Sequence, residues 1–174
     1  MNDVNYLLVL DSVRLPDAKS VCAKHQLDWL PLYLGTDWEP QLALSPICVP
    51  VSKHDAIYQK WLSDSDWATS GVLFEYSLDV DFKQQLQALQ SLITIKSEDG
   101  RLYLFRFYSP DTVIKLEKQS RSSFLSHLIA PATAVHLSPT VAEDDQSTSF
   151  HSTYQTRSPS ECIIATELVE VLLS

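Results

Sequence analysis

With 174 residues, 45% of them hydrophobic, the chain is long enough for one domain with its own core. A net charge of -9 with no basic stripe excludes nucleic acid and an anionic membrane as expected partners, and no apolar stretch is long enough to span a bilayer. Cys22, Cys48 and Cys162 are odd in number and irregularly spaced, which points to reduced thiols in a cytoplasmic compartment rather than a disulfide scaffold.

The first residues, Met1 to Asn5, carry no basic segment, so no signal peptide is expected. Tyr6 to Leu10 reads as a short buried strand ended by Asp11. Asp17 to Gln26 is a predicted helix with Val21 and Cys22 inward, and Leu30 to Leu34 a short strand turning at Gly35-Thr36. One helical turn is expected over Trp38 to Leu42. The prolines of Pro46 to Val51 predict an edge strand or an extended crossing. His54 to Leu62 is helical, with Ile57, Tyr58, Trp61 and Leu62 on one side. Val72 to Phe74 is a strand, and Phe82 to Leu92 a helix whose Phe82, Leu86 and Leu89 recur at helical spacing over a glutamine-rich back.

The clearest local reading is Leu92 to Leu116. Leu92 to Lys96 is a β-branched strand, and Asp99-Gly100 supplies the left-handed positions of a tight hairpin. Arg101 to Tyr108 reads as the return strand, apolar on both faces, with Ser109-Pro110-Asp111 starting a helix behind it. Arg106 is a fixed charge in that apolar strand and needs a partner; Asp11, at the end of the first strand, is the leading candidate. Beyond Arg121 the chain turns acidic, with Arg157 its one arginine or lysine. Thr140 to Thr148 resembles a polar loop, Phe150 to Gln155 a late strand, and Ser160 to Leu173 a closing helix. This order of elements is α/β, with α+β as the alternative: a mixed central sheet with helices packed on it.

Catalytic motifs are absent: there is no phosphate-cradling loop, dinucleotide fingerprint, zincin pair or nucleophile elbow. Cys22 and His25 lie three apart on a helix but have no second pair at metal-site spacing. Asp64/Asp66 and Asp79/Asp81 fit turns and helix starts better than acid–base chemistry. No cofactor, no metal and no catalytic residue is expected. The residues alone describe an acidic, non-enzymatic α/β domain.

Five segments in order resemble the effector-adaptor, or effector-chaperone, family of bacterial type VI secretion. Tyr6 to Asp11 resembles its opening strand ending in aspartate, and Leu32-Tyr33-Leu34-Gly35-Thr36 its leucine-tyrosine-x-glycine segment. Leu44 to Val49 resembles its glycine-proline segment, with Ser45 where glycine is common, and Trp67 to Phe74 the approach to the strand before the glutamine-rich helix. Asp99 to Pro110, with Arg106 and Tyr108, is the strongest match; it departs at Ser109, where the family has aspartate, and at Asp111-Thr112, where arginine and a small or aliphatic residue are usual.

The residues of 131–174 predict an acidic loop, a late strand and a C-terminal helix packed on the same domain, and the resemblance implies an adaptor-like α/β domain over 1–130. It implies a cytoplasmic protein that binds a secreted effector and assists its loading onto the valine-glycine repeat spike protein. Asp11, Asp99, Gly100, Arg106, Tyr108 and Pro110 are the family-motif residues. The expected partner-binding aromatics are Trp29, Tyr33, Trp38, Tyr58 and Trp61, with Glu143, Asp144 and Asp145 as the alternative contacts. At least two of the aromatics are expected to be partly exposed and adjacent. Two other classes stay open: an immunity-like protein that caps a toxin, and a small hydrolase or transferase using Cys48 or Cys162 with His54, His127 or His151.

Overall fold

An unbroken apolar run such as Tyr6 to Leu10 has no face that can be left in water, so it must lie between two packed layers. The computed structural model describes residues 4–119, 123–142, 147–158 and 162–173. It opens with β1 (Val4–Leu10), α1 (Ala18–Lys24) and β2 (Leu30–Pro31), then a 3-10 turn over Glu39–Leu44 and β3 (Ile47–Val51). Next come α2 (Ala56–Ser63), α3 (Ser65–Ala68), β4 (Gly71–Ser77) and α4 (Phe82–Gln90). A hairpin of β5 (Thr94–Lys96) and β6 (Leu102–Leu104) leads to α5 (Pro110–Gln119) and α6 (Phe124–Ile129). The chain ends with β7 (Ala134–His136), a 3-10 turn over Pro139–Val141, β8 (Ser149–His151) and α7 (Thr166–Leu173).

Six strands form the central sheet in the order β2-β3-β1-β4-β7-β8, and β5-β6 is a separate two-stranded sheet. The fold is α/β in composition, a central sheet with helices packed around it. Among the described residues every ladder between these strands is antiparallel, where the sequence predicts mixed strand directions, and the isolated Ser97–Ile164 bridge is the parallel pairing. The reason lies in the crossover: β3 and β4 both run against β1, so α2 and α3 carry the chain over β1 and the two co-directional strands never meet.

Alternation along the strands separates two cores. Leu7, Val9, Phe74 and Val135 join residues of α4, α5, α6, α7 and the hairpin region on one face. Tyr6, Leu8, Leu10, Val49 and Leu73 pack on the other against Cys22 of α1, Ile57 and Trp61 of α2 and Trp67 of α3.

Several expectations are corrected. β3 is internal, between β2 and β1, not an edge strand. Pro50 is tolerated there because β2 reaches only Ile47 and Cys48, leaving Pro50 beyond its end. The return strand is only Leu102–Leu104; Phe105 to Tyr108 leaves it as irregular chain that buries Phe105, Phe107 and Tyr108. Leu102 and Leu104 are exposed instead of covered by helices. The closing helix begins at Thr166, because Ile164 is used in a bridge to Ser97.

Candidate partner-binding cleft

Asp11 ends β1 with its backbone N–H donating to the Ser70 carbonyl at 2.8 Å. Its side chain closes the following turn: Oδ1 accepts from the N–H groups of Val13 at 3.0 Å and Arg14 at 3.3 Å. Oδ2 accepts from the Arg106 guanidinium at 2.6 Å, so the expected pair forms across 95 residues of chain. The two ends differ in burial, with the Asp11 side chain 9% exposed and that of Arg106 51% exposed. Arg106 is therefore a half-solvated charge clamping a buried carboxylate, and not the desolvated strand residue that the sequence predicts. Its guanidinium also lies 5.9 Å from the ring of buried Tyr108, whose phenol is pushed well above the ordinary range by burial and then by neighbouring Tyr33.

These groups form the base of an open cleft of about 490 Å³. Tyr33 and Trp38 line one side, with ring centroids 6.1 Å apart, and the Trp38 indole N–H donates to Thr94 Oγ1 at 3.1 Å. Exposed Val13, Leu44 and Leu104 form an apolar rim, and Arg14 adds a second cation. Local chemistry holds the loop that carries the aromatics. Gly35 takes a positive φ of 74°, and the Ser45 hydroxyl accepts the Tyr33 N–H at 2.9 Å while donating to the Pro46 carbonyl at 2.7 Å. Ser45 thus has a specific structural task.

Of the motif residues, Asp11, Arg106 and Tyr108 meet at the cleft. Asp99 and Gly100 stand at the hairpin turn, where Gly100 has φ 84° and Asp99 accepts from the Arg101 N–H and the Ser97 hydroxyl. Pro110 starts α5. The five aromatics do not form one patch. Trp61 is buried and donates its indole N–H to the Gly71 carbonyl at 3.0 Å, so it is a packing residue. Tyr33 is also buried, although its ring lines the cleft. Trp29 and Tyr58 are half-buried against the core on the opposite face from Trp38, with the Lys19 ammonium 5.3 Å from the Trp29 ring. Glu143, Asp144 and Asp145 lie outside the described residues.

The cysteines sit in apolar surroundings. Burial pushes the Cys48 thiol up to about 12 and that of Cys22 up to about 11. His25 is exposed while Cys22 is buried, and among the described residues no group of three His, Cys, Asp or Glu side chains could hold a metal ion. Asp64 caps α3 through the Asp66 and Trp67 N–H groups, and Asp81 forms a capping box with Gln84 on α4.

Two polar arrangements have no signal in the sequence. His136 Nε2 lies 2.9 Å from Glu75 Oε2 and its Nδ1 2.8 Å from Ser149 Oγ, tying β4, β7 and β8 across their common face. Arg157 donates to the carbonyls of Leu128 and Ala88, both at 3.0 Å, and to the Ser91 hydroxyl, which fastens the late chain to α4 and α6. Each depends on strand or chain neighbours that only the tertiary fold brings together.

A sheet domain with an open aromatic and arginine-bearing cleft, and buried thiols, has the character of a binding module. The chain belongs to the family described as Domain of unknown function (DUF4123), whose profile matches residues 6–126. That family is associated with type VI secretion effector and adaptor proteins. No curated protein and no solved structure matches the chain. No helix among the described residues is long and apolar enough to cross a membrane.

Proposed function

We propose that this chain is a cytoplasmic adaptor that binds a type VI secretion effector and assists its loading onto the spike protein, with the Asp11–Arg106 cleft as the effector-binding surface. The observation that carries the reading is convergence. Three residues of the family motif and two of the candidate aromatics, far apart in sequence, line one open cleft with an exposed apolar rim. Interfaces take most of their energy from a few aromatic and arginine anchors surrounded by groups that exclude water, and Trp38, Arg106, Leu44 and Leu104 supply that combination. No bond is made or broken; the work is recognition.

Co-expression of the tagged chain with each protein encoded by the neighbouring genes, followed by gel filtration, tests this reading. Co-elution with a large effector, alone or with the spike, is the expected result. Co-elution with an isolated toxin domain whose activity is thereby blocked favours the immunity-like alternative, and co-elution with none of them contradicts the adaptor reading.

A further inference from the structure

The hairpin beside the cleft has one edge in use and one open. Ser97 N–H donates to the Arg101 carbonyl at 2.9 Å and Phe105 N–H to the Ile93 carbonyl at 2.7 Å. With Ile95 opposite Tyr103, this register makes Arg101, Tyr103 and Phe105 the residues whose main-chain groups face β5. Leu102 and Leu104 therefore direct their N–H and C=O groups away from it. On the far side of β5 the equivalent groups are already taken, since Ile164 N–H donates to the Lys96 carbonyl and Glu98 N–H to the Ile164 carbonyl, both at 3.0 Å. Apart from its shortness, the three-residue β6 edge has neither a charge nor a proline to oppose strand pairing, and Leu102 and Leu104 are 67% and 41% exposed.

We propose that β6 receives an extended segment of the partner as an added strand, with apolar side chains lying along Leu102, Leu104 and Leu44 and a carboxylate side chain reaching Arg106 and Arg14. This deepens the adaptor reading and rests on it for the partner's identity. Leu104 and Arg106 both line the cleft, so a strand on this edge runs directly into it. Charge decides the occupant's chemistry. Although the chain carries -9 overall, the cleft lining holds Arg14 and Arg106 against Asp11 alone, while Arg101 at the start of β6 is paired with Asp99 and adds no net charge. The surface therefore suits an acidic, alternating apolar segment, not the basic one that net charge alone favours. Main-chain pairing supplies affinity, and the alternate side chains supply selection.

The probe is a 12-residue random peptide library displayed on phage and selected on the folded chain, the enriched peptide then being synthesised. Enrichment of alternating apolar residues with an Asp or Glu is expected, together with slowed amide hydrogen exchange at Leu102 and Leu104 on peptide addition. N-methylation of the peptide backbone should cost at least tenfold in affinity at residues of one parity and leave the other parity unchanged. The exposed-site double variant Leu102→Lys/Leu104→Lys should lose at least tenfold while keeping its circular dichroism spectrum. Peptides that bind without protecting those two amides, equal effects of methylation at both parities, or no enrichment overturns strand addition. Concentration-dependent protection of the two amides without peptide also overturns it, in favour of β6 pairing between two copies of this chain. Peptide uptake without any co-eluting effector retires the adaptor reading alone. An effector that co-elutes while both amides exchange freely retires strand addition alone.

Discussion

Arg106 and Asp11 show how unequal burial divides an ion pair's effect on stability. Removing Arg106 leaves the Asp11 carboxylate two backbone N–H donors, and the lost guanidinium was half in water already. Arg106→Ala should therefore cost about 1 kcal/mol, within the usual range for a solvent-screened pair. Asp11→Ala removes the ion pair and both turn hydrogen bonds from a buried position, for about 3 kcal/mol. Urea unfolding of the two variants checks the order; an Arg106 loss equal to or larger than the Asp11 loss contradicts this description of the clamp. The thiols give a second prediction. Burial moves Cys22 and Cys48, protonated at neutral pH even at the ordinary thiol value, still further from the reactive thiolate and shields both from solvent. Each should alkylate at least about tenfold more slowly in the native chain than in urea. A native Cys48 as reactive as the unfolded one would show that its site is open.

Helix α4 owes its start to a reciprocal pair. Asp81 Oδ1 accepts the Gln84 N–H at 2.9 Å, and Gln84 Oε1 accepts the Asp81 N–H at 2.8 Å. Asp81→Ala should destabilise the fold by about 1 kcal/mol, the ordinary loss for an N-cap; a urea midpoint identical to that of the parent chain would refute it. This cap, the hairpin turn at Asp99-Gly100 and the buried first strand were legible because each rests on contacts within a few residues. The Asp11–Arg106 pair was legible too, since a charge among apolar neighbours demands a partner and few acids end a strand. Other elements were not. β7 has three residues, too few to show a period, and joins the sheet only through β4 and β8. β3 reads as an edge because of Pro50, and only the shortness of β2 reconciles that proline with an internal strand. Trp61 and Tyr33 look available in sequence, yet a strand carbonyl fixes one and the Ser45 hydroxyl fixes the backbone of the other.

At the scale of the whole molecule, the sheet separates two surfaces that local sequence cannot tell apart. Trp38 stands on the face that carries the hairpin and the motif arginine, while Trp29 and Tyr58 stand on the face of α1 and α2. The proposed effector site is committed to the first of these. Calorimetric titration of a co-eluting effector into two folded double variants tests that commitment most directly. Trp38→Ala/Leu104→Ala should weaken binding by about 2 kcal/mol, roughly thirtyfold, as expected for anchor residues at the centre of an interface. Trp29→Ala/Tyr58→Ala should leave it within about 0.5 kcal/mol of the parent chain, the usual range for residues outside an interface. Undiminished affinity in the cleft variant, or an equal loss in the variant of the opposite face, would contradict the cleft as the effector-binding surface.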